Sequence, residues 1–166
     1  INPEFEAEQV RVFGDMYKKG YIEKGLKPVY WCASCETALA EAEVEYADHT
    51  STSIYVRFKF DEEGVNKIKQ LVDLPNDNVY AVIWTTTPWT IPSNMAISMH
   101  PRFDYTFFTY KNDVYVIAQG LLANFLEGVN WEEKDINVIG SVKGADLELL
   151  NTNHPLYNRK SPIILG

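Results

Sequence analysis

Apolar residues recur at three-to-four spacing from Pro3 to about Lys19, with Phe5, Gln9, Val12 or Phe13 and Met16-Tyr17 along one side. That spacing predicts an amphipathic helix. Asn2 supplies a cap, Pro3 the first helical position, and Glu4 and Glu6 an acidic first turn. Past Gly20 and Gly25 the period drops to two: Glu41, Glu43 and Glu45 alternate with Ala42, Val44 and Tyr46, which predicts a strand with a charged, solvated face. Ser53 to Phe60 alternates in the same way and reads as a half-buried strand. Asp61 then caps a helix to about Leu71, with Val65, Ile68, Leu71 and Val72 inward.

The apolar, β-branched run Val79-Tyr80-Ala81-Val82-Ile83 predicts a buried strand after the Pro75-Asn76-Asp77-Asn78 turn. Met95 to Met99 reads as another strand, and Asp104 to Tyr110 with Asp113 to Ala118 as a hairpin around Lys111-Asn112. A helix is expected over 121–129, strands over 137–142 and 147–150, a loop over 155–162 and a last strand from Ile163. The pattern therefore predicts an α+β fold on a twisted, mixed, barrel-like sheet (residues 47–166), preceded by a helical connector (residues 1–46).

Composition narrows the class. Of 166 residues, 46% are hydrophobic and 13% aromatic, enough for a packed core and against disorder. No apolar run nears the ~20 residues that span a bilayer, and no leader opens the chain, so no membrane partner and a cytoplasmic location are expected. A first residue of Ile1 suggests a piece of a longer protein. The net charge of -8 argues against independent nucleic-acid binding, because phosphate contacts need clustered Lys and Arg. Arg11, Lys18-Lys19, Lys24 and Lys27 read as a solvated face.

Candidate chemistry gathers at Trp84-Thr85-Thr86-Thr87-Pro88-Trp89-Thr90-Ile91-Pro92-Ser93-Asn94. Four threonines arrive where a buried strand gives way to a loop, and two prolines each fix φ and remove a donor. Such a loop is expected to be irregular and rigid, and able to present hydroxyls to a ligand. Cys32 and Cys35 form a Cys-x-x-Cys, open to three readings: half of a zinc site, a redox pair, or two inert thiols. Tetrahedral zinc wants four ligands, and His49, His100 and His154 stand at no ligand-like spacing. His100, before Pro101, reads as a turn residue rather than a general base.

The segment Trp84 to Asn94 resembles the threonine-rich signature of the editing domain of isoleucyl-tRNA synthetases, within the class I aminoacyl-tRNA synthetases. Valyl and leucyl enzymes are similar but carry Arg-Pro where this chain has Thr87-Pro88. The resemblance covers essentially the whole chain. It implies hydrolysis of misformed valyl-tRNA(Ile) or valyl-adenylate, since one methylene gives a synthetic pocket too little discrimination. By that resemblance Thr85, Thr86 and Thr87 contact the terminal adenosine and ester and help fix a water, and Thr90 sizes the amino-acid side chain. Asn94 donates to substrate, Trp84 forms a wall, and Trp89 wedges the loop.

The resemblance also favours the half-zinc reading of Cys32 and Cys35, with a second cysteine pair elsewhere in the parent; ATP and magnesium belong to the parent's catalytic domain. No cofactor is expected in this stretch. The implied partners are the tRNA(Ile) 3′ end, the aminoacyl-adenylate and the rest of the parent synthetase. The family's downstream His-Thr-Ala-Pro motif, and the Asp that holds the substrate ammonium, have no match before Gly166. Weak or absent editing by this stretch alone is therefore expected, as is a sheet edge open to dimer contacts. Two alternatives are a valyl-type editing domain and a non-enzymatic module whose Thr-Pro loop binds a peptide or small ligand. A redox role for the cysteines lacks a thioredoxin-like context.

Overall fold

The computed structural model describes residues 2–166, which divide into two compact units, one ending at His49 and the other Thr50–Gly166. In the first, α1 (Pro3–Lys18) begins as expected, with the Asn2 side chain accepting from the Glu4 N–H and Pro3 in the first turn. None of its residues is buried: Phe5, Val12, Phe13, Met16 and Tyr17 are all exposed. A hairpin follows, β1 (Tyr30–Cys32) against β2 (Thr37–Leu39), with Cys32 opposite Thr37 and the turn passing through Glu36 at φ 51°. The strand expected over 41–46 is corrected. Glu41–Glu43 forms a 3-10 turn, because the Glu43 carboxylate reaches back to the Ala40 N–H at 2.8 Å and holds the backbone in a cap.

The second unit is built on an eight-stranded mixed sheet. Its strands are β3 (Ile54–Phe60), β4 (Val79–Thr85), β5 (Ile97–Met99), β6 (Asp104–Tyr110), β7 (Asp113–Ala118), β8 (Ile136–Lys143), β9 (Asn151–Asn153) and β10 (Lys160–Leu165). Their spatial order is β5-β10-β9-β3-β4-β7-β6-β8. Pairs β4–β7 and β10–β5 are parallel, and the other neighbours run antiparallel.

Two short helices, α2 (Glu62–Ile68) and α3 (Leu122–Gly128), join these strands. Asp61 caps α2 by accepting from the Gly64 N–H, and Val65, Ile68 and Val72 are buried as the pattern predicts. Leu71, expected inward, is 46% exposed instead: α2 stops at Ile68, and the following turn points it away.

No ladder joins β5 to β8 among the described residues, so the expected barrel-like closure is not made by hydrogen bonds. Side chains from both margins nevertheless share one core. Ile97 and Met99 of β5 pack in the same cluster as Tyr105 and Phe107 of β6 and Val142 of β8, around Phe58, Phe60 and Ile163. A second cluster holds Phe108, Tyr115, Ile117, Phe125 and Leu126. The strand expected at 147–150 is also corrected. Gly144–Leu147 is a 3-10 turn that buries Leu147 and Leu150 three positions apart, while Leu149 turns outward at φ 61°. The strand comes next, at β9.

Candidate functional site

Strand β4 carries Trp84 and Thr85 to its end, in register with Tyr55 and Ile54 of β3. Beyond it the chain is not irregular, as the prolines suggested. Pro88–Ser93 is a 3-10 helix with Pro88 in its first turn and Pro92 inside. A proline φ near -65° suits 3-10 geometry, and its missing N–H costs little in so short a turn. Ile91 is the buried residue of this turn, and Trp89, expected to wedge the loop, is 69% exposed.

The threonines organise one another. Thr85 Oγ1 accepts the Thr87 N–H at 3.0 Å and lies 3.1 Å from Thr87 Oγ1, while the Thr90 hydroxyl donates to the Thr87 carbonyl at 2.7 Å. Thr86 is different. Its carbonyl accepts the Ser51 hydroxyl at 2.9 Å, but among the described residues its own hydroxyl has no partner, and the residue is exposed. Asn94, expected to donate to substrate, uses one amide N–H and its oxygen within the protein, and its second N–H has no partner among the described residues. Its Nδ2 donates to the Ala96 carbonyl at 2.9 Å, and its Oδ1 accepts the Ser161 hydroxyl at 2.8 Å.

Beside this segment lies a cavity of about 680 Å³, within the range of ligand-binding clefts. Tyr55, Trp84, Ala96, Ser98, Leu121 and Asn124 are among the residues lining it. Of the six candidates on the threonine segment, only Trp84 forms part of this wall. Thr85, Thr86, Thr87, Thr90 and Asn94 do not, yet the segment leaves the wall at Trp84 and rejoins it at Ala96. No Asp, Glu, Lys, Arg or His lines the cavity among the described residues, and its surface is largely apolar.

Three residues outside the sequence-predicted site, His154 among them only as a rejected metal ligand, bond to the segment. His154 Nε2 bonds the Ile91 carbonyl at 2.8 Å, Arg159 donates to the carbonyls of Pro92 and Asn94, and Ser161 donates to Asn94. Their bonds cross more than sixty residues, so nothing in their spacing singles them out. His100 is a turn residue, as expected: its Nδ1 accepts the Arg102 N–H, and its ring stacks on Phe103.

Cys32 and Cys35 are both free thiols, at the turn of the β1–β2 hairpin. The Cys35 N–H donates to Cys32 Sγ at 3.3 Å, and that bond draws the Cys32 pKa below its ordinary value. Two thiols thus stand in one turn. No group of three or more His, Cys, Asp or Glu able to hold a metal occurs among the described residues. Among the described residues, no helix is long and apolar enough to cross a membrane.

The family model of tRNA synthetases class I (I, L, M and V) matches residues 1–146. The chain is 54% identical over its whole length to isoleucine–tRNA ligase of Thermoanaerobacter sp. (strain X514), and 49% identical to that of Caldanaerobacter subterraneus subsp. tengcongensis. It spans 17% of the length of each. Among solved structures, GlLeuRS-CP1 superposes with a TM-score of 0.54 at 18% identity, over 68% of this chain and 48% of that one. The editing domain of the P. knowlesi cytosolic leucyl-tRNA synthetase gives 0.53 at 16% identity, over 72% and 55%. The chain belongs to the class I tRNA synthetases of the isoleucyl, leucyl, methionyl and valyl group, and its sheet unit has the fold of a synthetase editing domain.

Proposed function

We propose that the chain is the editing portion of an isoleucyl-type synthetase and takes part in hydrolysing valyl-tRNA(Ile), or the valyl-adenylate, within the parent enzyme. The observation that carries this reading is the hydroxyl-rich segment that runs on from Trp84, a residue in the wall of a 680 Å³ cavity. A largely apolar hollow suits a short aliphatic side chain and the face of an adenine. The Thr85–Thr87–Thr90 network fixes the segment before any ligand arrives, leaving the Thr86 hydroxyl free to donate.

In the proposed reaction, a water oxygen attacks the ester carbonyl carbon, and the carbonyl oxygen gathers negative charge. The ester C–O bond then breaks, and the proton passes to the released ribose hydroxyl. Free valine and uncharged tRNA result. The Thr86 hydroxyl is assigned to the developing oxyanion, a donor role whose loss in other hydrolases costs ~10²–10³-fold in rate. Thr90 orders the turn through Thr87 rather than sizing the substrate alone. The cavity contributes no carboxylate for the substrate ammonium, so the chain by itself is expected to edit poorly. Cys32 and Cys35 would supply two thiolates to a structural zinc in the parent, whose own catalytic domain would use ATP and magnesium in the cytoplasm.

The test is deacylation of valyl-tRNA(Ile) by a full-length synthetase carrying this sequence. Thr86→Ala should slow hydrolysis strongly, and unchanged hydrolysis would remove the assignment.

A further inference from the structure

The β9–β10 hairpin concentrates buried polar side chains in a way packing alone does not require. Thr152, His154 and Ser161 lie there with 0%, 5% and 0% exposure, and burying such groups is costly unless their bonds are made. Thr152 donates to the Ser161 carbonyl across the hairpin at 2.7 Å. The other two reach out of it, and both reach the 3-10 turn of the threonine segment.

The chemistry of each bond is defined. His154 Nδ1 accepts the N–H groups of Leu156 and Tyr157 at 3.1 and 3.2 Å, so the ring proton sits on Nε2 and donates to the Ile91 carbonyl. Arg159 Nη2 spans two carbonyls, Pro92 at 2.5 Å and Asn94 at 2.6 Å, with its guanidinium 5.6 Å from the Tyr157 ring centroid. Ser161 holds the Asn94 side chain. The Ile91 carbonyl also accepts the Asn94 N–H at 3.0 Å, while the Pro92 and Asn94 carbonyls take their donor from Arg159. Four bonds from one hairpin thus converge on Ile91, Pro92 and Asn94, within eight residues of Thr86.

We propose that His154, Arg159 and Ser161 are positioning residues: they hold the threonine segment in one conformation and set the geometry in which its hydroxyls act. This rests on the editing reading given above, but it makes a claim about the segment's conformation that stands apart from that reading. Misplacing reacting groups by about 1 Å can cost ~10²-fold in rate while leaving binding little changed.

Two measurements test it. In a full-length synthetase carrying this sequence, Arg159→Ala and Ser161→Ala are expected to lower the single-turnover rate of valyl-tRNA(Ile) deacylation ~10-fold or more, with half-saturation within about twofold. Arg159→Lys, which keeps a donor for both carbonyls, should recover part of the loss, as should His154→Gln relative to His154→Ala. In the 166-residue chain, the methyl resonances of Thr85, Thr86, Thr87 and Thr90 should shift or broaden in Arg159→Ala and return towards the parent positions in Arg159→Lys. The two readouts separate the claims. Impaired hydrolysis in Thr86→Ala beside normal hydrolysis in Arg159→Ala and Ser161→Ala overturns the positioning role and leaves editing standing. Normal hydrolysis in Thr86→Ala removes the Thr86 assignment alone; no hydrolysis by the unsubstituted synthetase overturns editing, and the methyl spectra then decide positioning. Unmoved threonine methyls in a folded Arg159→Ala chain overturn it.

Discussion

The Ser161 hydroxyl donates to Oδ1 of Asn94 at 2.8 Å, joining the hairpin at the end of the chain to a residue 67 positions earlier. The same amide donates through Nδ2 to the Ala96 carbonyl, so Asn94 spends an acceptor and a donor in opposite directions. Aspartate has the acceptor without the donor. Asn94→Asp should keep the Ser161 bond but set a carboxylate oxygen against the Ala96 carbonyl, costing about 1–3 kcal/mol. Urea unfolding of the chain measures this, and a midpoint equal to the parent's would show that the Ala96 bond contributes nothing.

Gly144 packs where no side chain fits. A Cβ there would meet the His100 carbonyl oxygen at 2.2 Å and the Tyr105 ring at 2.9 Å. His100 is itself held by its N–H to Tyr105 Oη at 2.9 Å, so the backbone cannot yield freely. Gly144→Ala is expected to destabilise by about 1–3 kcal/mol through overpacking. An unchanged thermal midpoint would contradict this packing.

Cys32 and Cys35 should differ in reactivity. The Cys35 N–H stabilises the Cys32 thiolate and so lowers its pKa, which keeps more thiolate present as the pH falls. Alkylation of Cys32 by iodoacetamide should therefore persist to lower pH than alkylation of an ordinary thiol, followed residue by residue in the metal-free chain. A profile for Cys32 matching that of a free thiol would refute the bond's effect.

Much of the sheet could be read from period and punctuation. Alternation located β3, the apolar run located β4, and Lys111-Asn112 marked the β6–β7 turn, where Lys111 sits at φ 54°. Caps at Asn2 and Asp61 were equally legible, since a cap is a contact between near neighbours. The failures share a cause. Glu41–Tyr46 and Leu147–Leu150 alternate or cluster like strands, but backbone caps and an apolar pair three apart chose 3-10 turns. The threonine segment stood out by composition, whereas its inward-bonded Asn94 and its braces at His154, Arg159 and Ser161 depend on contacts across more than sixty residues. No local pattern carries such contacts.

Thr86 offers the sharpest test, because its hydroxyl alone among the four threonines is unspent. In a full-length synthetase carrying this sequence, Thr86→Ala is expected to reduce deacylation of valyl-tRNA(Ile) by ~10²-fold, while Thr86→Ser, which keeps a hydroxyl, retains most of the rate. Deacylation by Thr86→Ala at the rate of the unsubstituted enzyme would contradict the account.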